Sequence, residues 1–334
     1  MPATSIDPET GTNPLLNALP VSIEDIRAAR ERIMPKLRRT PLVSSPALGA
    51  QAGCNLSFKA ENLQMTGSFK ARGALNAVML LTDDQRARGV ATFSAVNHGS
   101  GLAYAASLLG VKCRVFMARD AVPAKVEAIR GFGAEITFGE SIAEASELMN
   151  KAIEAESLVF LSPFDDPAVV AGQGVVGLEI LEDAPDVDAI VVPIGGGGLI
   201  AGIALAVKSL RPDVQVIGVE PEGAAVVTKS LETHTVARLE RVQTIADGLA
   251  APFAGKITQQ IIEALVDRVV TVTDEEIAAA ISPILSNTKL MPEPSGAAAY
   301  AALVTGKAGV PNGSTVVCLL SGGNVGLDRL RTFL

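Results

Sequence analysis

The sequence predicts an α/β fold of two open-sheet domains with mostly parallel strands, the smaller domain inserted in the larger. Three features predict it. From Val90 onward, short apolar strands alternate with helical segments across brief links, the pattern of parallel strands joined by right-handed crossovers. Ala189 to Pro193 is apolar throughout, as in a strand covered on both faces. Glycine turns directly follow two strands, at Gly195-Gly-Gly-Gly198 and at Ser321-Gly-Gly-Asn324.

Taken in order, Val21 to Leu37 carries Ile23, Ile26, Ala29 and Ile33 at helical spacing after Ser22, with Glu24 and Asp25 where the helix dipole favours acids. Thr40 to Ser44 and Asn55 to Lys59 read as short strands. The turn Thr66-Gly67-Ser68 then offers Ser68 as an N-cap for a helix whose apolar stripe is Phe69, Ala74, Leu75, Val78 and Met79. The next strands are Val90 to Ser94, Cys113 to Met117 and Glu135 to Phe138, each followed by a helix: Asn97 to Leu109, Ala124 to Arg130 and Ile142 to Ala155. A second series runs through helix Ala168 to Leu181, strand Ala189 to Pro193, helix Leu199 to Leu210, strand Val214 to Val219 and helix Ala224 to Leu231. Glu232 to Pro252 is irregular, with a tight turn at Asp247-Gly248. Strand Val269 to Val272, helices Thr273 to Leu285 and Ser295 to Val304, strand Val316 to Leu320 and a last helix complete the chain. Topology places the small domain at residues 90–165 and the large one at residues 1–89 and 166–334.

Composition narrows the function. The chain has 334 residues, is 48% hydrophobic and carries a net charge of −8, so it can bury a large core and lacks the basic stripe that a nucleic-acid partner requires. No apolar run approaches the roughly 20 residues of a membrane span. Met1 to Ala18 has neither the basic start nor the apolar core of a signal and reads as a flexible arm. Cys54, Cys113 and Cys318 are odd in number and lie in or beside apolar segments, which suggests reduced thiols in a cytoplasmic protein. With only His98 and His234, a histidine-rich metal site is excluded.

Four stretches carry candidate chemistry. Lys70 falls in a first helical turn, where its charge opposes the helix dipole unless it is neutral or consumed in a bond; the local sequence alone favours a solvated surface lysine, and the rest of the chain reverses that. The four glycines at 195–198, between a buried strand and a helix, let backbone N–H groups converge on an anion such as phosphate; a flexible or tightly packed turn is the alternative, but a mere turn would not require four. Ser321 to Asn324 stands in the same strand-to-helix position, so both turns should face one crevice. Ser94-Ala-Val-Asn-His98 can receive a carboxylate or simply cap its helix. Glu293 is either a site residue or a helix-start charge.

These stretches, in this order and spacing, resemble the fold-type II pyridoxal-phosphate enzymes of the serine/threonine dehydratase and serine racemase family, a tryptophan-synthase β-like fold. The resemblance runs from about Val21 to the last helix. It implies a pyridoxal 5'-phosphate cofactor held as a Schiff base on Lys70, with its phosphate on the backbone of Gly195, Gly196, Gly197 and Gly198. Asn97 would contact the ring hydroxyl, Phe69 would lie against the ring, Gly248 and Glu293 close to it, and Ser321 would bond to the pyridine nitrogen. Ser94, Ala95, Asn97 and His98 would border the substrate carboxylate, with Ser68 in the lysine's own loop. A serine at position 321 cannot hold the ring nitrogen protonated as an aspartate would, which favours prompt β-elimination over long-lived carbanions.

The implied activity is a lyase that dehydrates and deaminates a β-hydroxy-α-amino acid, such as threonine or serine, to a 2-oxo acid and ammonia, with a homodimer as the implied assembly. Racemases of the group place a serine base where this chain has Ala95, so dehydration is favoured over racemisation. Val96 replaces the usual glycine, which leaves 3-hydroxyaspartate, phenylserine and a hydroxyectoine-derived amino acid open as substrates. A non-catalytic phosphate-ligand sensor is the reading from another class. Some relatives bind magnesium or calcium. Here Glu220 and the Ala224 carbonyl are the possible ligands, but Val226 stands where a second acid would be needed. The chain ends soon after Asn324, without the C-terminal regulatory domain of biosynthetic threonine dehydratases, which points to a catabolic role.

Overall fold

A computed structural model describes residues 14–93, 97–119 and 123–334. Among the described residues, ten strands form two sheets. β1 (Leu42–Ser44), β2 (Asn55–Ala60), β7 (Ala189–Pro193), β8 (Gln215–Pro221), β9 (Arg268–Val272) and β10 (Thr315–Leu320) make a six-stranded sheet in the order β1-β2-β10-β7-β8-β9. Every pair in it is parallel except β1 with β2, which lie next to each other antiparallel at one edge. β3 (Val90–Phe93), β4 (Cys113–Ala118), β5 (Glu135–Gly139) and β6 (Val159–Phe160) form an all-parallel sheet in the order β5-β4-β3-β6. β7 and the last five residues of β10 are buried at every position, as strands between two helical layers must be.

The first helix, Ile23–Ile33, is started by a capping box in which Ser22 Oγ accepts from Asp25 N at 3.1 Å while Asp25 Oδ2 accepts from Ser22 N at 2.9 Å. It gives way at Met34 to a 3₁₀ turn containing Pro35 rather than continuing to Leu37. The arm expected over residues 1–18 lies outside the described residues as far as 13, and Pro14–Asn17 is a single helical turn. Helices Pro46–Ala52, Asp83–Arg88 and Lys256–Leu265 and the two-residue β6 are not among the elements expected from the sequence. The second of these carries a capping box at Thr82 and Gln85 that was there to be seen. All three cysteines are free thiols, and Cys113 and Cys318 are buried.

One correction bears on the site. Ser68 does not cap the helix Lys70–Met79; Phe69 occupies the cap position and no side chain bonds there. Ser68 instead pairs with Gly322 as an isolated bridge, Phe69 N donates to Ser321 O at 3.1 Å, and Gly323 N donates to Gly67 O at 2.9 Å. A long-range backbone pairing has displaced the local cap, and it joins the lysine loop to the turn after β10.

The helix is anchored from below by buried charges. The Arg72 guanidinium donates to both oxygens of Glu61 at 2.8 Å and to those of Glu179 at 2.8 and 2.9 Å, while Lys59 Nζ lies 2.7 Å from Glu179. All four side chains are fully buried. Burial pushes the Glu61 carboxyl up, but Arg72, Lys59 and Thr40 outweigh it and hold it below the usual carboxylate range. Removing one member strands a charge in the interior, at a cost of about 3–5 kcal/mol. Glu61→Gln should therefore lower unfolding stability by about that much in urea titrations near neutral pH. Because the Glu61 pKa is depressed on folding, its contribution is full above the unfolded value of about 4.3 and declines as pH falls through the folded one; the gap between wild type and variant should shrink in acid.

Candidate active site

The carboxyl ends of β7 and β10 open on one cleft, and the residues it brings together come from six separate parts of the chain. Phe69, Lys70, Asn97, His98, the four glycines 195–198, Gly248, Glu293 and Ser321 all line it. Lys70 is half-buried and donates from Nζ to the carbonyl of Pro163 at 2.8 Å, with the Phe69 ring centroid 5.1 Å away. No carboxylate faces it in an ion pair among the described residues, so burial alone acts on the ammonium and brings its pKa down to about 8. The amine is therefore partly neutral, and nucleophilic, near physiological pH.

The glycine turn serves two demands. Among the described residues no acceptor meets the backbone N–H groups of Gly196, Gly197 and Gly198, which open the helix Gly198–Leu210. The turn is also tightly packed: a Cβ on Gly196 would stand 2.2 Å from the Phe164 ring, and Gly197 has a φ of +93°. Phe164 is held there from a distance. Its neighbour Asp165 accepts from Lys256 N at 3.0 Å and Ile257 N at 2.8 Å, capping the helix Lys256–Leu265, and Thr258 Oγ1 of that helix donates to Gly196 O at 2.8 Å.

Across the cleft, Asn97 Nδ2 donates to Glu293 Oε1 at 2.6 Å, and Gly248 N donates to Ser295 Oγ at 2.9 Å. Ser321 Oγ reaches Ser295 O at 3.5 Å. His98 is buried, its Nε2 lies 3.2 Å from Leu161 O, and burial together with the Lys70 charge lowers its pKa to about 3. The ring is thus neutral, and the carbonyl partner puts its proton on Nε2. Nδ1 is left as an acceptor, so the imidazole has no donor for a carboxylate. Ser68 is buried, its Oγ has no partner among the described residues, and it is not part of the described cleft lining. Ser94 and Ala95, with Val96, lie outside the described residues.

The family model described as pyridoxal-phosphate dependent enzyme matches residues 33–322. The chain belongs to that family. It is 46% identical over 306 residues to an L-threonine ammonia-lyase of Geobacter sulfurreducens, covering 91% of this chain and 76% of that one. It is 39% identical over 319 residues to the catabolic L-threonine dehydratase TdcB of Escherichia coli K12, covering 93% and 95% respectively. Among solved structures, maize serine racemase superposes with a TM-score of 0.90 at 37% identity, covering 93% of this chain and 96% of that one.

The residues fit the family's cofactor: unclaimed backbone N–H groups suit a phosphate, an amine of lowered pKa suits an aldehyde, and an amide and a hydroxyl remain for the ring's polar atoms. They do not fit a divalent cation at Glu220. That buried carboxylate accepts from Val227 N at 2.8 Å and from Thr228 N and Oγ1 at 2.7 Å, so both its oxygens are committed to the helix Val226–Thr233. Burial, against those donors, pushes its carboxyl up to about 7. Ala224 sits in the 3₁₀ turn Glu222–Ala224, and no cluster of three or more His, Cys, Asp or Glu able to hold a metal occurs among the described residues.

Pro163, Phe164, Ser295 and the segment Leu249 to Phe253 also line the cleft and were missed in the sequence. None carries a motif; they are recognisable only once the sheets are assembled. Two outcomes test the geometry. Labelling of the cofactor-free protein by an amine-reactive sulfonate should include one lysine that titrates near pH 8, below the ordinary lysine range, and that signal should vanish in Lys70→Ala. Gly196→Ala should drive the Phe164 ring out of place and weaken cofactor uptake at least about tenfold, and adding Phe164→Ala should recover part of it, as read by fluorescence titration.

Proposed function

We propose that this chain is a pyridoxal-phosphate-dependent ammonia-lyase that dehydrates a β-hydroxy-α-amino acid, threonine or serine, to a 2-oxo acid and ammonia. One observation carries the reading: a half-buried amine with its pKa near 8 shares a cleft with an anion-ready glycine turn, in a chain 46% identical to a protein named L-threonine ammonia-lyase. When bound, pyridoxal phosphate supplies the electron sink for charge developing at Cα. In this reading Gly195 to Gly198 grip its phosphate, Asn97 donates to its ring oxygen, Ser321 faces its ring nitrogen, and Phe69, Gly248 and Glu293 bound the ring. Lys70 Nζ anchors the cofactor and, once released, takes the Cα proton. Because the His98 ring offers no donor, the substrate carboxylate falls to the main-chain N–H groups at the start of the helix Asn97–Leu109, beside Ser94 and Ala95.

The cleft wall supports a choice among substrates. Phe93, Pro163, Phe164, Leu249, Pro252 and Phe253 make it largely apolar. The charged side chains in the described lining are Lys70, Asp247 and Glu293, and Asp247 already lies 3.3 Å from Arg329. Apart from Lys70, which the cofactor would engage, a second substrate carboxylate, as in 3-hydroxyaspartate, would find no cation in the described lining, and an unpaired buried charge costs about 3–5 kcal/mol. Threonine, serine and phenylserine carry no such group.

Racemisation is the second reading, favoured by the similarity to maize serine racemase. It needs a base on the opposite face of Cα, where the sequence offers Ala95. The three free thiols accord with a cytoplasmic enzyme, and a homodimer with the family resemblance. Purified holoenzyme offered a panel of β-hydroxy amino acids should release 2-oxo acid from threonine and serine, with kcat/KM for 3-hydroxyaspartate lower by about a hundredfold or more. Oxo-acid release should disappear in Lys70→Ala. Recovery of the opposite enantiomer with Cα deuterium, and without oxo acid, would replace the lyase by the racemase; cofactor uptake with no turnover of any amino acid would leave the sensor.

A further inference from the structure

The terminal glycine turn contains one side chain to which no role has been given, Asn324. Its amide Nδ2 donates to Thr66 O at 2.8 Å and to Asn97 Oδ1 at 2.7 Å. Its Oδ1 lies so close to Gly67 that a Cβ there would stand 2.3 Å away, and Gly67 has a φ of +70°. Asn324 is thus seated between the lysine loop and the start of the helix Asn97–Leu109.

The orientation of this chain of amides follows from its two ends. A backbone carbonyl can only accept, so the Asn324 atom facing Thr66 O is the nitrogen. The same nitrogen faces Asn97, so the Asn97 atom opposite it is the oxygen. The other Asn97 atom is then its Nδ2, which meets the acceptor Glu293 Oε1 at 2.6 Å. An amide nitrogen has two hydrogens. One is taken by Glu293, and the second has no partner among the described residues at the cleft that Asn97 lines. With Asn324 removed, the Asn97 oxygen loses its donor among the described residues, and the Glu293 contact alone is left to hold the amide.

We propose that Asn324 is a positioning residue that fixes the Asn97 amide with its nitrogen toward the cleft, so that one N–H stays available to a ring oxygen of the bound cofactor. This rests on the reading of the cleft as a pyridoxal-phosphate site and deepens it. Asn324 touches neither cofactor nor substrate in this role and acts through Asn97. The same bonds also tie the Thr66 carbonyl to the turn after β10, so a merely structural role is the competing account.

A double-mutant cycle on cofactor affinity separates the two. Pyridoxal phosphate is titrated into cofactor-free wild type, Asn324→Ala, Asn324→Asp, Asn97→Ala and the Asn97→Ala/Asn324→Ala pair, followed by visible absorbance, with the melting temperature of each cofactor-free protein read in parallel. The isosteric Asn324→Asp presents acceptors to the Thr66 carbonyl and the Asn97 oxygen, so it should weaken affinity at least as much as Asn324→Ala. Both should lose up to about tenfold, with a shifted absorbance band, and Asn324→Ala should cost nothing further once Asn97 is alanine. Equal losses in both backgrounds, wild-type affinity in both Asn324 variants, or failure of both to fold would each overturn the proposal. Failure of the wild type itself to take up the cofactor would instead overturn the reading of the cleft on which it rests.

Discussion

The fork of Arg72 locates everything in the cleft. It grips Glu61, just after β2, and Glu179, on the helix Pro167–Asp183, with paired hydrogen bonds to each, and so ties the helix that begins at Lys70 to the sheet and to the layer beneath it. Each buried ion on its own would cost several kcal/mol of lost hydration. Here Arg72 and Lys59 face two carboxylates, and bidentate geometry supplies what desolvation removes. Such a network adds little net stability compared with an apolar core, but it permits few arrangements, and Lys70 inherits that definition two residues away.

Burial does opposite work on those two neighbours. Arg72 is surrounded by carboxylates that outweigh its desolvation and raise its pKa. Lys70 meets a carbonyl, an aromatic ring and a neutral histidine, so desolvation goes unopposed and its pKa falls. One helical turn therefore carries both a permanent charge that holds structure and an amine that can give up its proton. The neutral state of His98 belongs to the same balance, since the Lys70 charge helps to lower it.

The cleft lies between the two sheets and is closed by the segment that leaves β6. Pro163 accepts from Lys70, Phe164 packs against the glycine turn, and Asp165 caps the helix Lys256–Leu265, so three consecutive residues join the lysine, the anion-binding turn and a helix nearly a hundred positions later.

Local chemistry was legible in the sequence wherever a residue's neighbours along the chain decide its state. The alternation of strands and helices, the start of a helix just after Ser22, the two glycine turns and the start of a helix at Lys70 all follow from backbone sterics and short-range periodicity. What only the tertiary structure decided is where polar groups found distant partners. Ser68 surrendered a cap to pairing with Gly322, Glu220 turned its carboxylate to the start of a helix, His98 lost its charge to burial, and Asn324 met Asn97 from 227 positions away. A buried donor or acceptor must be satisfied by whatever the fold brings near, and that neighbour is set by the packing of sheets and helices, not by adjacent residues.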